Sequence, residues 1–446
     1  MEGTPRPQTV STKQQRIAQL ATQMPGTAIT SLSHHMDLEW MRQAHARTRK
    51  DGATGVDGES ADEFSANLEG NLRALLDGAK SGTYRAPPVR RVHIPKGDGS
   101  KTRPIGIPTY ADKVLQRAVA MLLEPIYEED FYDFSYGFRP ELSAHDALAA
   151  LRKQIESMRS GAWVLDVDIR GFFDTLDHAK LRDLLRQRVT DGVVTRLIGK
   201  WLNAGVLEGG VVHHPATGTP QGGVISPLLA NIYLHEALDS WWVEDVLPRL
   251  RGRACLIRYA DDFVMVFSSR EDALRVQAVL PKRMARFGLT LHPEKTRLVD
   301  YRHPGGGNGL DPGSFDFLGF THYWGRSRKG AWVPLRKTSK SRFSRGLRAL
   351  GVWMARARHL RVAKQAVVLR KKLNGHFRYY GLRGNSATLN RFRYEAIRLW
   401  HKWLSRRSQR ARLTWEVFNR LLKHHPLPPA RLNPGWRQPL LPFANP

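Results

Sequence analysis

Cysteine is almost missing from this chain of 446 residues. The single thiol, Cys255, excludes internal disulfides and any multi-cysteine zinc module, and its apolar neighbours suit a small core residue. No run of 18 apolar residues occurs, so no membrane-spanning helix is expected. Met1 to Pro7 lack the apolar centre of a signal peptide, which makes a cytoplasmic protein the expectation. Acid is scarce in one region only. From Thr321 onward, 30 Lys and Arg face two acids, Glu395 and Glu416, so this region holds +28 of the total +29. The same region carries seven of the 12 tryptophans. Concentrated cationic charge interleaved with aromatic rings points to nucleic acid, with RNA or an RNA–DNA duplex fitting best. The length allows two or three domains with real cores, and 41% hydrophobic residues is ordinary for a globular chain.

What is present is organised around Leu256-Ile257-Arg258-Tyr259-Ala260-Asp261-Asp262-Phe263-Val264-Met265-Val266-Phe267. Two β-branched and aromatic runs flank a polar break, which predicts a β-hairpin with Asp261 and Asp262 at its turn. Adjacent carboxylates repel each other, and a hard cation such as Mg²⁺ relieves that repulsion. A lone Asp-Asp pair is ordinary turn chemistry, but a second site of the same kind lies upstream. In Trp163 to Ile169, period-2 alternation puts Leu165, Val167 and Ile169 on one face and Asp166 and Asp168 on the other. Asp168 brought beside Asp261 and Asp262 would clamp two metal ions roughly 3.5–4 Å apart, the arrangement for in-line attack of a 3′-hydroxyl on a nucleoside triphosphate.

Tyr259-Ala260-Asp261-Asp262 resembles the catalytic box of reverse transcriptases, and Thr217 to Asn231, with Pro220-Gln221-Gly222-Gly223, resembles the preceding box of group II intron reverse transcriptase/maturases. Ser135-Tyr136-Gly137-Phe138-Arg139-Pro140 and Phe317-Leu318-Gly319-Phe320 match further boxes, and the likeness runs from about Gly52 to Trp415. The resemblance implies an α+β right-hand polymerase with fingers, a split-βαβ palm and a helical-bundle thumb. It implies two Mg²⁺ ions, with Mn²⁺ as an alternative, held at Asp168, Ile169, Asp261 and Asp262, the three aspartates being catalytic. Lys96 and Arg103 take the positions that hold the incoming triphosphate, on a hairpin whose turn is Gly97-Asp98-Gly99. Gln221 is expected to hydrogen-bond the nascent base pair, Gly222 and Gly223 to allow close backbone approach to the substrate, and Tyr259 to belong to the substrate-binding set. Phe173 falls at the steric gate, because a wall rejects an added 2′-hydroxyl only by clash and desolvation, and dNTPs are therefore expected over NTPs. Phe172 reads as core, His292 as structural and Arg139 equally as a template contact or a structural residue. Lys295 reads mainly as a solvated surface cation, with protonation of the pyrophosphate as the alternative.

The glycine loop Gly52 to Gly58 lacks the Gly-Lys-Ser/Thr of a phosphate loop and resembles the family's N-terminal template-covering loop. Helical spacing covers Ala111 to Tyr127, Ile225 to Leu238 and Glu271 to Phe287. Three further apolar stripes, through Phe343–Met354, Val362–Leu373 and Leu389–Trp403, predict a small basic bundle with Gly375 to Gly381 in its second connection. The expected divisions are an extension over 1–85, fingers and palm over 86–325, a thumb or maturase domain over 326–415 and a proline-rich tail over 416–446. No cysteine/histidine endonuclease module is expected. The function implied is an RNA-directed DNA polymerase copying RNA into cDNA, with RNA template, DNA primer or target, dNTPs and its own group II intron RNA as partners, and no membrane. Two alternatives compete: an RNA-binding splicing cofactor with incidental polymerase activity, and an intron-free host defence or repair reverse transcriptase.

Overall fold

The computed structural model describes residues 9–96, 101–158, 162–213, 218, 222–304, 313–327, 329–408 and 413–433. They fall into two units, one built from 1–147 with 167–298 and one from 148–166 with 299–446. Helix and sheet are mixed in both, as expected of an α+β chain.

The first unit begins with α1 (Val10–Gln23), α2 (Leu38–Arg47), α3 (Ala61–Ala66) and α4 (Leu68–Ser81). Side-chain caps start three of them: Thr9 accepts from the Thr12 N–H, Asp37 from Trp40, and Ser60 with Glu63 forms a capping box. Strands β1 (Val89–Lys96) and β2 (Lys101–Ile107) follow, then α5 (Tyr110–Asp130). α5 is the core helix of this unit. Val114, Leu115, Ala118, Val119, Leu122 and Leu123 are all sealed from solvent, and α1 and α2 pack on it.

After α6 (Ala144–Ser157) come β3 (Ala162–Asp168), α7 (Phe172–Thr175), α8 (His178–Arg188) and α9 (Gly192–Leu202). Short strands β4 (Val206–Glu208) and β5 (Val211–His213) complete a sheet in the order β2-β1-β4-β5. Their few residues carry no alternating stretch long enough to announce a strand. Next, α10 (Ser226–Leu234) runs on as π-helical turns over His235–Ser240 and Trp242–Val246.

Strands β6 (Ala254–Tyr259) and β7 (Asp262–Phe267) form the expected hairpin, followed by α11 (Arg270–Arg286) and β8 (Arg297–Tyr301). The sheet order is β6-β7-β3-β8, to which this unit contributes Val167–Asp168 of β3 and Arg297–Leu298 of β8. β7 is buried from Phe263 to Phe267, a continuous apolar run as a central strand requires.

The second unit holds β9 (Phe315–Phe317), β10 (Phe320–Arg326) and β11 (Trp332–Thr338) in one antiparallel sheet. Beyond it lie α12 (Lys340–Ala357), α13 (Val362–Tyr380), α14 (Ser386–Leu404) and α15 (Trp415–His424). The three foreseen stripes meet in one core: Leu350 and Met354, then Ala366, Leu369 and Leu373, then Leu389, Phe392 and Ala396. Two details differ from the sequence reading. Gly375 to Tyr380 form the last turns of α13 rather than a connection, and the His376 ring stacks 3.6 Å from Phe392. Beyond α14 the chain stays attached, because Phe418 and Leu427 enter the same core and Arg370 and Arg393 donate to the Pro426 and Pro428 carbonyls.

Candidate active site

The hairpin turn is tight. Tyr259 pairs with Asp262, which leaves Ala260 and Asp261 as a two-residue loop and makes Asp262 the first residue of β7. Ala260 has φ = 57°, a left-handed conformation normally left to glycine at the first position of such a turn. Holding alanine there costs about 1–2 kcal/mol, so neighbouring structure must over-determine it.

Those neighbours lie in three segments. Arg258, fully buried, donates from Nη1 to the Ala260 carbonyl at 3.3 Å and to Asn231 Oδ1 at 2.9 Å. Its Nε donates to Asp239 Oδ1 at 2.8 Å, and its Nη2 donates to Asp239 Oδ2. Asn231 on α10 donates in turn to the Gly137 carbonyl at 2.6 Å. The segment Phe134 to Gly137 lines β6 as a further edge, with Arg258 N–H on the Phe134 carbonyl at 2.9 Å and Tyr136 N–H on the Arg258 carbonyl at 2.8 Å. A Cβ on Gly137 would lie 2.8 Å from the Tyr259 carbonyl carbon and closer still to the Ala260 nitrogen, so only glycine fits. Burial drives the Asp239 carboxyl up while Arg258 pulls against it. Burial, then Arg258 and Arg139, hold the neighbouring His235 down at about 4, which keeps it neutral near pH 7.

Asp168 ends β3, the strand beside β7. Its carbonyl accepts the His292 N–H at 2.8 Å, and Arg170 N–H reaches the Thr290 carbonyl at 2.8 Å, so the loop before β8 pins this strand end. The Asp168 carboxylate faces solvent and accepts from Lys295 Nζ at 2.9 Å. Lys295, read from sequence as a surface cation, therefore sits on an expected metal-holding carboxylate. Among the described residues, no three His, Cys, Asp or Glu side chains are gathered as a ready metal site. The donors nevertheless suit a divalent ion: hard carboxylate oxygens on neighbouring strands, one of them already drawing a cation.

The other expected residues are distributed as follows. Arg103 lies exposed on β2 opposite Ile94, and Lys96 ends β1. The turn between them lies outside the described residues, as does Gln221. Gly222, at φ = 122°, makes its close approach to protein: an added Cβ would meet the Gly106 carbonyl oxygen and lie 2.9 Å from Ile105. The backbone that follows is held by a residue the sequence reading passed over. Gln116 Oε1 on α5 accepts the Val224 N–H at 2.8 Å and the Ile225 N–H at 3.4 Å.

Phe172 is core, 2% exposed, and the half-buried Phe173 meets it edge-on at 5.3 Å. Tyr259 lies 6.4 Å from the Phe138 ring. Arg139 is structural: its nearly buried guanidinium donates to Glu128 and to the Tyr132 and Ser135 carbonyls. In the glycine loop, Gly55 packs directly on Thr109, and Arg90 and Lys113 donate to the Thr54 and Ala53 carbonyls at 2.6 Å.

With this geometry in place, the family comparison decides the identity. A family described as "Reverse transcriptase (RNA-dependent DNA polymerase)" matches residues 94–322, half of the chain. The chain belongs to the reverse transcriptase family. Protein YkfC of Escherichia coli is 36% identical over 288 residues, covering 58% of this chain and 75% of that protein. Group II intron-encoded protein LtrA of Lactococcus lactis is 42% identical over 201 residues, covering 45% of this chain but 33% of LtrA. Nuclear intron maturase 2 of Arabidopsis thaliana is 24% identical over 237 residues, covering 44% of this chain and 30% of its own length. This reverse transcriptase is thus an RNA-directed DNA polymerase by family, similar over part of its length to a group II intron-encoded protein and spanning only about a third of that relative. Among its described residues no helix is long and apolar enough to cross a membrane.

Proposed function

We propose that this reverse transcriptase copies RNA into cDNA at a site formed by Asp168, Asp261 and Asp262, and that it also binds and assists splicing of a group II intron RNA. In this reading the β6–β7 sheet is the palm, the β1–β2 hairpin belongs to the fingers, and the α12–α14 bundle is the thumb. The corresponding divisions are 1–85, 86–325, 326–415 and 416–446.

One observation carries the proposal: the two acidic boxes, nearly a hundred residues apart in sequence, lie on strands that are neighbours in one sheet. The three carboxylates, with the main-chain carbonyl of Ile169, would hold a pair of Mg²⁺ ions. When bound, such a pair lowers the pKa of a primer 3′-hydroxyl and stabilises charge on pyrophosphate. The chain's own residues do the rest. Arg103 and Lys96 would neutralise and orient the triphosphate. Gly222 lies close against β2, Gln221 would hydrogen-bond the nascent pair, and Phe173 would exclude a 2′-hydroxyl. RNA binding is assigned to the strongly basic second unit, and the maturase role rests on likeness to intron-encoded relatives alone.

The test is Asp261→Asn or Asp262→Asn. Extension of a DNA primer on an RNA template is expected to vanish while binding of that RNA survives. Full extension by either variant would remove the proposal. If splicing of an added intron RNA persists in these variants, the two activities are separate.

A further inference from the structure

The Arg258–Asp239–Asn231 cluster has no place in the chemistry above, and it is costly to build. Two charges and a carboxamide are withdrawn from water into the middle of the first unit, each at 1% exposure or less. Such a group usually stabilises no more than apolar residues of the same size would, so its presence calls for another reason. The geometry supplies one. Arg258 touches both sides of the problem: its Nη1 reaches the carbonyl of Ala260, the strained residue, and its Nε and Nη2 are locked by Asp239. Asn231 then ties Arg258 to the Gly137 carbonyl, behind the turn.

We propose that this buried cluster is a brace that holds the Ala260–Asp261 turn in its left-handed form. Asn231, Asp239 and Arg258 are thereby positioning residues for the carboxylates of Asp261 and Asp262.

Planarity explains the residue types. A guanidinium can meet a carboxylate on one edge and two separate oxygens on another with fixed angles, which an ammonium cannot do. Asn231 is needed as both acceptor and donor, which neither Asp nor Leu provides. The charged and titratable groups around the cluster include His235, kept neutral, Arg139, itself engaged by Glu128, and the Tyr132 phenol.

The inference rests on the reading of Asp261 and Asp262 as catalytic, and its test separates the two. Amide hydrogen exchange of the peptide spanning Tyr259 to Phe263 reports the turn whether or not the protein polymerises. Asn231→Ala is expected to speed that exchange at least tenfold. It should lower kcat for primer extension on RNA about tenfold, with KM for dNTP and RNA affinity within twofold of the parent. In an Ala260→Gly background, where the turn needs no enforcement, the same substitution is expected to cost less than about threefold in kcat. Arg258→Lys, which keeps the charge on Asp239 but loses the planar fork, should behave as Asn231→Ala does. Unchanged exchange at the turn overturns the brace even if activity falls. So does an equal loss in the Ala260→Gly background, or a loss of RNA binding in step with kcat. Faster exchange in a protein whose parent extends no primer would instead overturn the catalytic reading and leave the brace standing.

Discussion

Gly137→Ala tests how the turn is held by adding a single methyl group. The new Cβ would stand 2.8 Å from the Tyr259 carbonyl carbon and 3.1 Å from Ala260 Cα, with the Ala260 nitrogen nearer still. An ordinary carbon contact is about 3.5 Å, so the carbonyl carbon alone requires roughly 0.7 Å of movement and the nearer nitrogen more, and only two parts can move. If the 134–138 segment retreats, it loses the two main-chain bonds to Arg258 and the Asn231 bond, each worth about 1 kcal/mol net. If the turn retreats, it loses mainly the longer 3.3 Å bond from Arg258 to Ala260. About 1 kcal/mol against about 3 kcal/mol favours movement of the turn. The prediction is a selective injury. Stability should fall by about 1–2 kcal/mol, and kcat for primer extension by about 10- to 100-fold, since misplacing catalytic groups by about 1 Å can cost 10²-fold. Urea unfolding and single-nucleotide extension on a primed RNA template measure the two. A loss of stability near 3 kcal/mol with kcat within twofold of the parent would show that the outer segment yields, and would refute the reasoning.

Phe173→Ala should relax sugar discrimination, read as the ratio of dNTP to NTP incorporation; an unchanged ratio places the gate elsewhere. Binding of RNA should weaken steeply as salt rises from about 50 to 200 mM, because many phosphates are neutralised together; a flat response would contradict the role given to the basic second unit. Asp112, 1% exposed, is pushed up to about 7, chiefly by burial, with Trp201 donating to it in opposition. A carboxyl whose folded pKa lies above its unfolded value binds more protons when folded. Its contribution is therefore full below about pH 4 and lost progressively as pH rises toward 7. Asp112→Asn should flatten urea-unfolding stability across that window, and an unchanged slope would show that the group is ionised in the fold.

The legible parts of the sequence were those governed by a period or by adjacent charge. The β6–β7 hairpin, β3, α5, α11 and the three bundle helices follow from alternation of 2 or 3.6 because one face of each must be buried. β4 and β5 were missed because three residues cannot display a period. Phe418 and Leu427 fall in the stretch read as a proline-rich tail, which displays no period, although two large apolar side chains suffice to dock the segment. At the site, the acids announced themselves by repulsion, which only a purpose would tolerate. The residues that hold them did not. Gln116, Asn231 and Asp239 act through geometry across distant segments, although an Asp inside the apolar stretch Leu238 to Trp242 and an Arg inside the apolar strand β6 were the available signals of a buried pair.

The π-helical widening after α10 carries a consequence for how this part of the chain can change. Asn231 and Asp239 both meet Arg258, so the eight steps between them must deliver two side chains to one point. Losing a single residue from His235 to Leu238 would rotate Asp239 by about 100° about the helix axis, out of reach of its guanidinium. The interior would then keep a positive charge with no counter-charge, which is far more damaging than a missing contact. Insertions and deletions should therefore be absent from this segment in any working descendant of the chain, while point changes on its outer face accumulate freely.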